Sequence, residues 1–201
     1  FIHGVGEAVE KLISFRQRLD RAPAMKLSGR KALDMAGKRV ADMAVFDLYS
    51  CFPSAVEIAC SELGIAEDDP RDLTVTGGLV YYGGPGNSYV VMSICEMMRR
   101  LRAIPGRFGL VTANGNWVTK HAHGVYSTTP FAGRWQREDP AVLQAELDAL
   151  PKAPFTENPD GAAKIETYTV MHDRKGPAYS VLFGRLAQTG ERFIANTPAD
   201  A

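Results

Sequence analysis

Met43-Ala44-Val45-Phe46-Asp47-Leu48-Tyr49-Ser50-Cys51-Phe52-Pro53-Ser54-Ala55-Val56 is the stretch that decides the architecture. Met43 to Leu48 is a short apolar run interrupted only by Asp47, as expected of a strand buried on both faces. Tyr49-Ser50-Cys51-Phe52-Pro53 ends it. Ser54 is placed to cap a helix traced by Val56, Ala59 and Leu63 and stopped by Gly64, and Glu57, three residues after Ser54, completes a capping-box pattern. Strand, loop and helix thus follow in order.

The same grammar extends to both sides. Upstream, Pro23 to Ala36 carries Ala24, Leu27, Ala32, Leu33, Met35 and Ala36 at near-helical spacing, with Gly37 as a stop. Downstream, Gly77-Gly78 opens a loop that Gly83-Gly84-Pro85-Gly86 continues. Tyr89 to Leu101 then reads as a buried helix with Arg99, Arg100 and Arg102 at its end, where cations suit the helix dipole. Phe108 to Ala113 is another short apolar strand, Asn114-Gly115-Asn116 is turn chemistry, and Val118 begins a return strand. Strands alternating with helices over residues 23–126 specify an α/β layered domain.

After Tyr126 the composition changes. Ser127-Thr128-Thr129-Pro130 is a polar breaker, and Pro140, Pro151, Pro154 and Pro159 punctuate a linker holding one short helix, Pro140 to Leu150. From Ala163 the pattern is strand-like: Ile165 to Val170, Ala178 to Leu186, then Arg192 to Ala195, with turns at Asp173–Pro177 and Gln188–Gly190. The expected organisation is an α/β domain over 1–126, a Pro-rich linker over 127–162 and a small antiparallel β-domain over 163–201. A three-stranded meander is marginal alone, which marks it as part of a larger β-domain. The start at Phe1-Ile2-His3-Gly4 and the stop straight after a strand-like run read as those of a fragment.

The chain has 201 residues, 45% of them hydrophobic and 23% charged, as in soluble globular proteins. Lys plus Arg and Asp plus Glu both number 23, so no global charge draws it to nucleic acid or anionic lipid. The apolar run Tyr89 to Met98, broken by Ser93 and Glu96, falls short of the ~20 residues that span a bilayer. Cys51, Cys60 and Cys95 are odd in number and lack CxxC spacing, which argues against a disulfide framework and against a zinc site. A cytoplasmic setting is expected, with no bound cofactor or metal.

Gly77-Gly78-Leu79-Val80-Tyr81-Tyr82-Gly83-Gly84-Pro85-Gly86-Asn87 carries the most chemical information. Its glycines let backbone amides approach a ligand, and a helix N-terminus follows, a place that favours an anion or a developing oxyanion. The plain alternative is a tight turn between packed layers. It matches neither the dinucleotide fingerprint nor the phosphate loop.

Three loops of this chain resemble the active-site loops of the C-terminal half of thiolases. Tyr49-Ser50-Cys51-Phe52 stands at the Asn-Glu-Ala-Phe or His-Asp-Cys-Phe loop, Gly83-Gly84-Pro85 at the Gly-His-Pro loop, and Ala113-Asn114-Gly115 at the Cys-x-Gly loop. Longer phrases, including Thr119-Lys120-His121 and Gly124 to Pro130, resemble the acetyl-CoA acetyltransferase-like members, several of which carry an extra C-terminal β-domain. The resemblance implies a layered αβα half domain whose partner half is missing. It also implies acyl transfer between CoA thioesters, an acyl-CoA substrate near Gly83, Gly84, Pro85, Asn114 and Gly115, and a homodimer of the full-length protein.

The departures bear on mechanism. Gly84 stands where thiolases have the histidine, Ala113 where they have the second cysteine, and neither can accept a proton. His121, just beyond the third loop, and Tyr49 are the expected substitutes, against the plain reading of hydrogen-bonded or packing residues. His123, two residues on, is expected on the opposite face. Cys51 precedes a capped helix, which would favour a thiolate, although by resemblance its position is structural. Cys60 and Cys95 read as core, Trp117 and Trp135 as packing, and the arginine group as a solvated helix end. Two rivals to acyl transfer are a thiolase-fold retro-aldolase acting on β-hydroxyacyl-CoA and a non-catalytic acyl-CoA-binding scaffold.

Overall fold

The structure, a computed structural model, describes residues 1–66 and 68–198. The chain forms two compact units, Phe1–Glu10 with Asp20–Leu150, and Lys11–Leu19 with the chain from Pro151 onward.

The first unit is a layered α/β domain. Its elements are β1 (Ile2–Val9), α1 (Pro23–Met35), β2 (Met43–Asp47), α2 (Pro53–Leu63), the single turn α3 (Leu79–Tyr82), α4 (Tyr89–Ala103), β3 (Phe108–Gly115), β4 (Lys120–Ser127) and α5 (Pro140–Asp148). The strands form one mixed sheet in the order β1-β4-β3-β2, parallel between β2 and β3 and antiparallel elsewhere. Adjacent strand residues face opposite sides, and Leu110 and Val111 separate the two cores. Leu110 and Val125 pack with Met25, Leu33 and Leu63 of α1 and α2. Val111 and Tyr126 pack with Met97 and Leu101 of α4. Extended backbone lies along the outer edge of β2, where Phe46 N–H donates to Asp72 O and Leu48 N–H to Leu73 O.

Strand β1 was not legible in the sequence. Gly4 and Gly6 break its apolar alternation, and both are required by the packing of α1. A Cβ at Gly4 would fall 1.9 Å from the Ala32 carbonyl oxygen, and one at Gly6 2.0 Å from that of Ser28. The helix therefore rides directly on the strand backbone.

Helix α1 opens on Pro23 without a local cap. Carboxylates from elsewhere serve instead: Ala24 N–H donates to Glu10 and Ala22 N–H to Glu62, placing negative charge at the positive end of the dipole. It ends as expected at Gly37, whose φ of 60° allows Lys38 N–H to reach back to Leu33 O. Helix α2 corrects the expected cap. Pro53 takes the first helical position, where its missing N–H costs nothing. Phe52 becomes the N-cap, with no side-chain bond, and Ser54 lies inside the helix.

Helix α5, placed by sequence in the linker, belongs to the first unit. Asp139 caps it through Ala141 N–H, Leu147 is fully buried beside Ala8 and Ala24, and the Gln144 amide pairs with both N–H and C=O of Val9 at 2.9 and 3.0 Å. That side chain closes part of the open edge of β1.

The second unit is an antiparallel meander of β5 (Ala163–Asp173), β6 (Gly176–Leu186) and β7 (Arg192–Asn196), as the sequence indicated. The Phe193 ring covers Gly184 on the neighbouring strand. Arg192 is fully buried, binds both carboxylate oxygens of Glu166 and donates to the carbonyls of Ser14 and Arg16. This explains why residues 11–19, remote in sequence, belong to the unit. No helix among the described residues is long and apolar enough to cross a membrane.

Candidate functional site

The loops after β2, before α4 and between β3 and β4 meet above the carboxyl ends of the parallel strand pair. Tyr49 N–H donates to Thr112 Oγ1 at 2.8 Å, Leu79 N–H donates to Ser50 Oγ at 3.1 Å, and Asn114 Nδ2 lies 3.6 Å from Cys51 Sγ. The Tyr49 ring meets the Tyr89 ring edge-on, centroids 5.4 Å apart. Each loop thus contacts the first, and the resemblance-based grouping of Tyr49, Asn114 and the glycine-rich segment is present in space.

Beneath them lies Asp47, wholly buried. Its Oδ1 accepts from Thr74 Oγ1 at 2.9 Å and Val75 N–H at 3.0 Å, and Thr76 Oγ1 lies 3.4 Å away. Its Oδ2 accepts from Tyr89 Oη at 3.2 Å and from Ser93 Oγ. In the sequence it was only an interruption of an apolar strand. The signal that could have found it is that a carboxylate in a strand buried on both faces must be met by donors.

This cluster corrects the reading of Gly77-Gly78. Their left-handed φ values, 84° and 89°, do require glycine, but their amides face the protein. Gly77 N–H donates to Thr74 Oγ1 and Gly78 N–H to Thr76 Oγ1. With Leu79 N–H on Ser50, these amides are committed to shaping the loop and not to a ligand. Gly83, Gly84 and Pro85 follow α3 and are exposed, and a Cβ at Gly84 would press on a Leu79 methyl at 3.2 Å.

The turn after β3 also departs from expectation. Asn114 and Gly115 remain in the strand, Val118 is not yet in β4, and Asn116, Trp117 and Val118 all have left-handed backbone, φ 50°, 57° and 56°. For Trp and a β-branched Val this is costly. Val118 packs against the core while Trp117, 77% exposed, stacks with Phe52 at 6.3 Å and 14°. Trp117 is therefore not buried packing.

Burial raises the Tyr49 phenol, with the nearby Cys51 adding to it, and raises the Cys51 thiol against the opposing pull of backbone amides. At neutral pH Tyr49 is a proton donor and Cys51 a thiol. The thiolate that a helix start would favour does not form because desolvation outweighs the amides, in keeping with the structural reading of Cys51. Burial pushes Tyr89 up to about 12, and the adjacent Asp47 carboxylate works in the same direction.

His121 and His123 share one face of β4, correcting the expected opposition, because alternate residues of a strand point the same way. Both are buried. His121 Nε2 lies 3.2 Å from Val118 O, an acceptor only, so this nitrogen carries the proton. His121 stands across the hairpin from Asn114 and with Asn114, Ala113, Val9 and Pro140 lines an open hollow of about 600 Å3. His123 Nδ1 meets Ser28 Oγ at 3.0 Å, and Ser28 gives its own proton to Ala24 O. His123 is thus fixed with Nε2 unprotonated and, among the described residues, unpartnered. Burial, then the neighbouring His121, pushes it down to about 3.

Of the remaining candidates, Cys60 is core as expected but Cys95 is exposed. Arg99 and Arg100 pair with Glu96 on the surface of α4, and Trp135 is 39% exposed.

A mixed sheet with helices on both faces, three converging loops and an appended antiparallel sheet define a thiolase-like fold. Comparison with known proteins agrees. Residues 142–201 match the family model of the thiolase-like protein type 1 additional C-terminal domain. A 3-ketoacyl-CoA thiolase of Salmonella heidelberg is 33% identical over 96 residues, 41% of this chain and 22% of that protein. The crystal structure of a monomeric SCP2-thiolase-like protein type 1 from Mycobacterium smegmatis matches with a TM-score of 0.91 and 42% identity, over 98% of this chain and 43% of that one. The chain spans less than half the length of these relatives, and its fold is thiolase-like.

Proposed function

We propose that the intact protein handles acyl-CoA thioesters, with acyl transfer of the acetyl-CoA C-acetyltransferase kind as its reaction. The observation that carries this reading is the convergence of the three loops through Ser50–Leu79, Tyr49–Thr112 and Cys51–Asn114. The name of the Salmonella relative supports the substrate class. Tyr49 is the better-placed proton donor, since its phenol stays neutral beside the loops and can hydrogen-bond to charge developing on a thioester oxygen. His121, which lines the hollow beside Asn114 with its Nε2 held by Val118, is the second candidate on this reading. On this reading Gly83, Gly84, Pro85, Asn114 and Gly115 are the residues that contact the acyl-CoA.

A second reading is binding without turnover. It is favoured by Gly84 and Ala113, which leave the two usual proton-transfer positions without a titratable group. Thiolytic cleavage of acetoacetyl-CoA by the full-length protein, followed as loss of substrate absorbance, separates the two. Acyl transfer requires turnover that falls about 100-fold or more in Tyr49→Phe, His121→Ala or both, the usual scale for losing a proton-transfer group. CoA binding without any turnover would discard it in favour of a scaffold. Sedimentation of the same sample would decide between the dimer expected of thiolases and the monomeric state described for the Mycobacterium relative.

A further inference from the structure

Asp47 is a buried carboxylate met by hydroxyls and a backbone amide, and those contacts have a direction. A carboxylate only accepts. Thr74, Tyr89 and Ser93 must therefore point their hydroxyl protons at Asp47. Thr76 Oγ1 lies 2.7 Å from Tyr89 Oη and 3.4 Å from Asp47 Oδ1; with the Tyr89 proton on Asp47, the single Thr76 proton goes to the shorter contact, Tyr89, and the longer one carries no hydrogen bond. With their protons turned inward, Thr74 and Thr76 present lone pairs outward, and these accept the N–H groups of Thr76, Gly77 and Gly78. The same carboxylate holds Tyr89, whose ring meets Tyr49 edge-on. One acceptor thus orients the base of the glycine-rich loop and the ring beside the proposed proton donor.

We propose that Asp47 is a positioning residue of the thioester site, fixing the hydroxyl orientations that shape the Gly77-Gly78 turn and set the Tyr89 ring against Tyr49. The assignment rests on the thioester-handling reading above. An asparagine would keep the shape but set an amide N–H2 against Tyr89 and Ser93, which already donate there. Those hydroxyls must then turn, and Tyr89 competes with Thr76 for the direction of their shared bond.

The test uses the full-length protein and its Asp47→Asn, Thr74→Val and Thr74→Ser variants, with acetyl-CoA as the titrated probe. Calorimetry reads affinity, and amide hydrogen exchange reads residues 76–79 against an internal standard in β3 and β4. The expected result for Asp47→Asn and Thr74→Val is at least 10-fold faster exchange at 76–78 and at least 10-fold weaker acetyl-CoA binding. Exchange at Leu110–Thr112 and Gly124–Tyr126 stays unchanged, and Thr74→Ser restores both readouts. Should Asp47→Asn fail to fold, the Thr74 pair alone decides. Wild-type binding that persists undiminished in Thr74→Val overturns the positioning role and leaves the thioester reading intact. No binding of acetyl-CoA by the wild type overturns the thioester reading, and the positioning role with it.

Discussion

His123 shows how a residue suited to chemistry is retained for packing. Its ring fills space beside Gly29, where a Cβ would lie 2.4 Å from Leu63 and 3.4 Å from the imidazole, and Ser28 fixes its tautomer. In the folded chain it stays neutral down to about 3, whereas an exposed histidine titrates near ~6.5. The unfolded state therefore binds a proton that the folded state refuses. Stability from this group is fully present above pH ~6.5 and is lost as the pH falls towards about 3, at up to ~1.4 kcal/mol per pH unit. Urea melts between pH 7 and pH 4.5 check this, and His123→Gln should flatten the slope. A slope identical in the variant would place the acid sensitivity elsewhere. Residue-level reading of the sequence succeeded for the helix stop at Gly37, whose place after an apolar periodic run defines its role. It missed Asp47 and the left-handed run at Asn116–Val118, because their partners at Thr74, Thr76, Tyr89 and Phe52 are fixed only by the fold.

Among the elements, β2, α2, α4 and the β5–β7 meander were legible because each carries its own period or turn chemistry. Strand β1 was not, since its pattern is interrupted by the glycines that let α1 approach. Gly6→Ala would drive a methyl into the Ser28 carbonyl. Both sides of that contact are backbone, so relief requires moving α1 off the sheet, and the expected cost is ~3 kcal/mol or more, at the upper end of overpacking. Chemical denaturation of the variant measures it, and a loss below about 1 kcal/mol would mean that helix and strand separate more easily than this packing implies. Helix α5 was legible as a helix but not in its place, because nothing in Pro140–Asp148 announces that Gln144 mimics a peptide group against Val9.

For the molecule as a whole, the αβα half domain and the added β-domain were both expected from the resemblance. On the proposed reading the site is a loop cluster in which Gly84 and Ala113 stand where the resemblance places a histidine and a cysteine, with Asp47 as its positioning residue. The most direct test is a hydrogen-exchange footprint of the full-length protein with and without acetyl-CoA. Protection should rise at Tyr49–Phe52, Val80–Asn87 and Ala113–Trp117, with little change along β5 and β6. Protection confined to β5–β7, or no footprint at saturating ligand, would contradict the assignment of the three loops to a thioester.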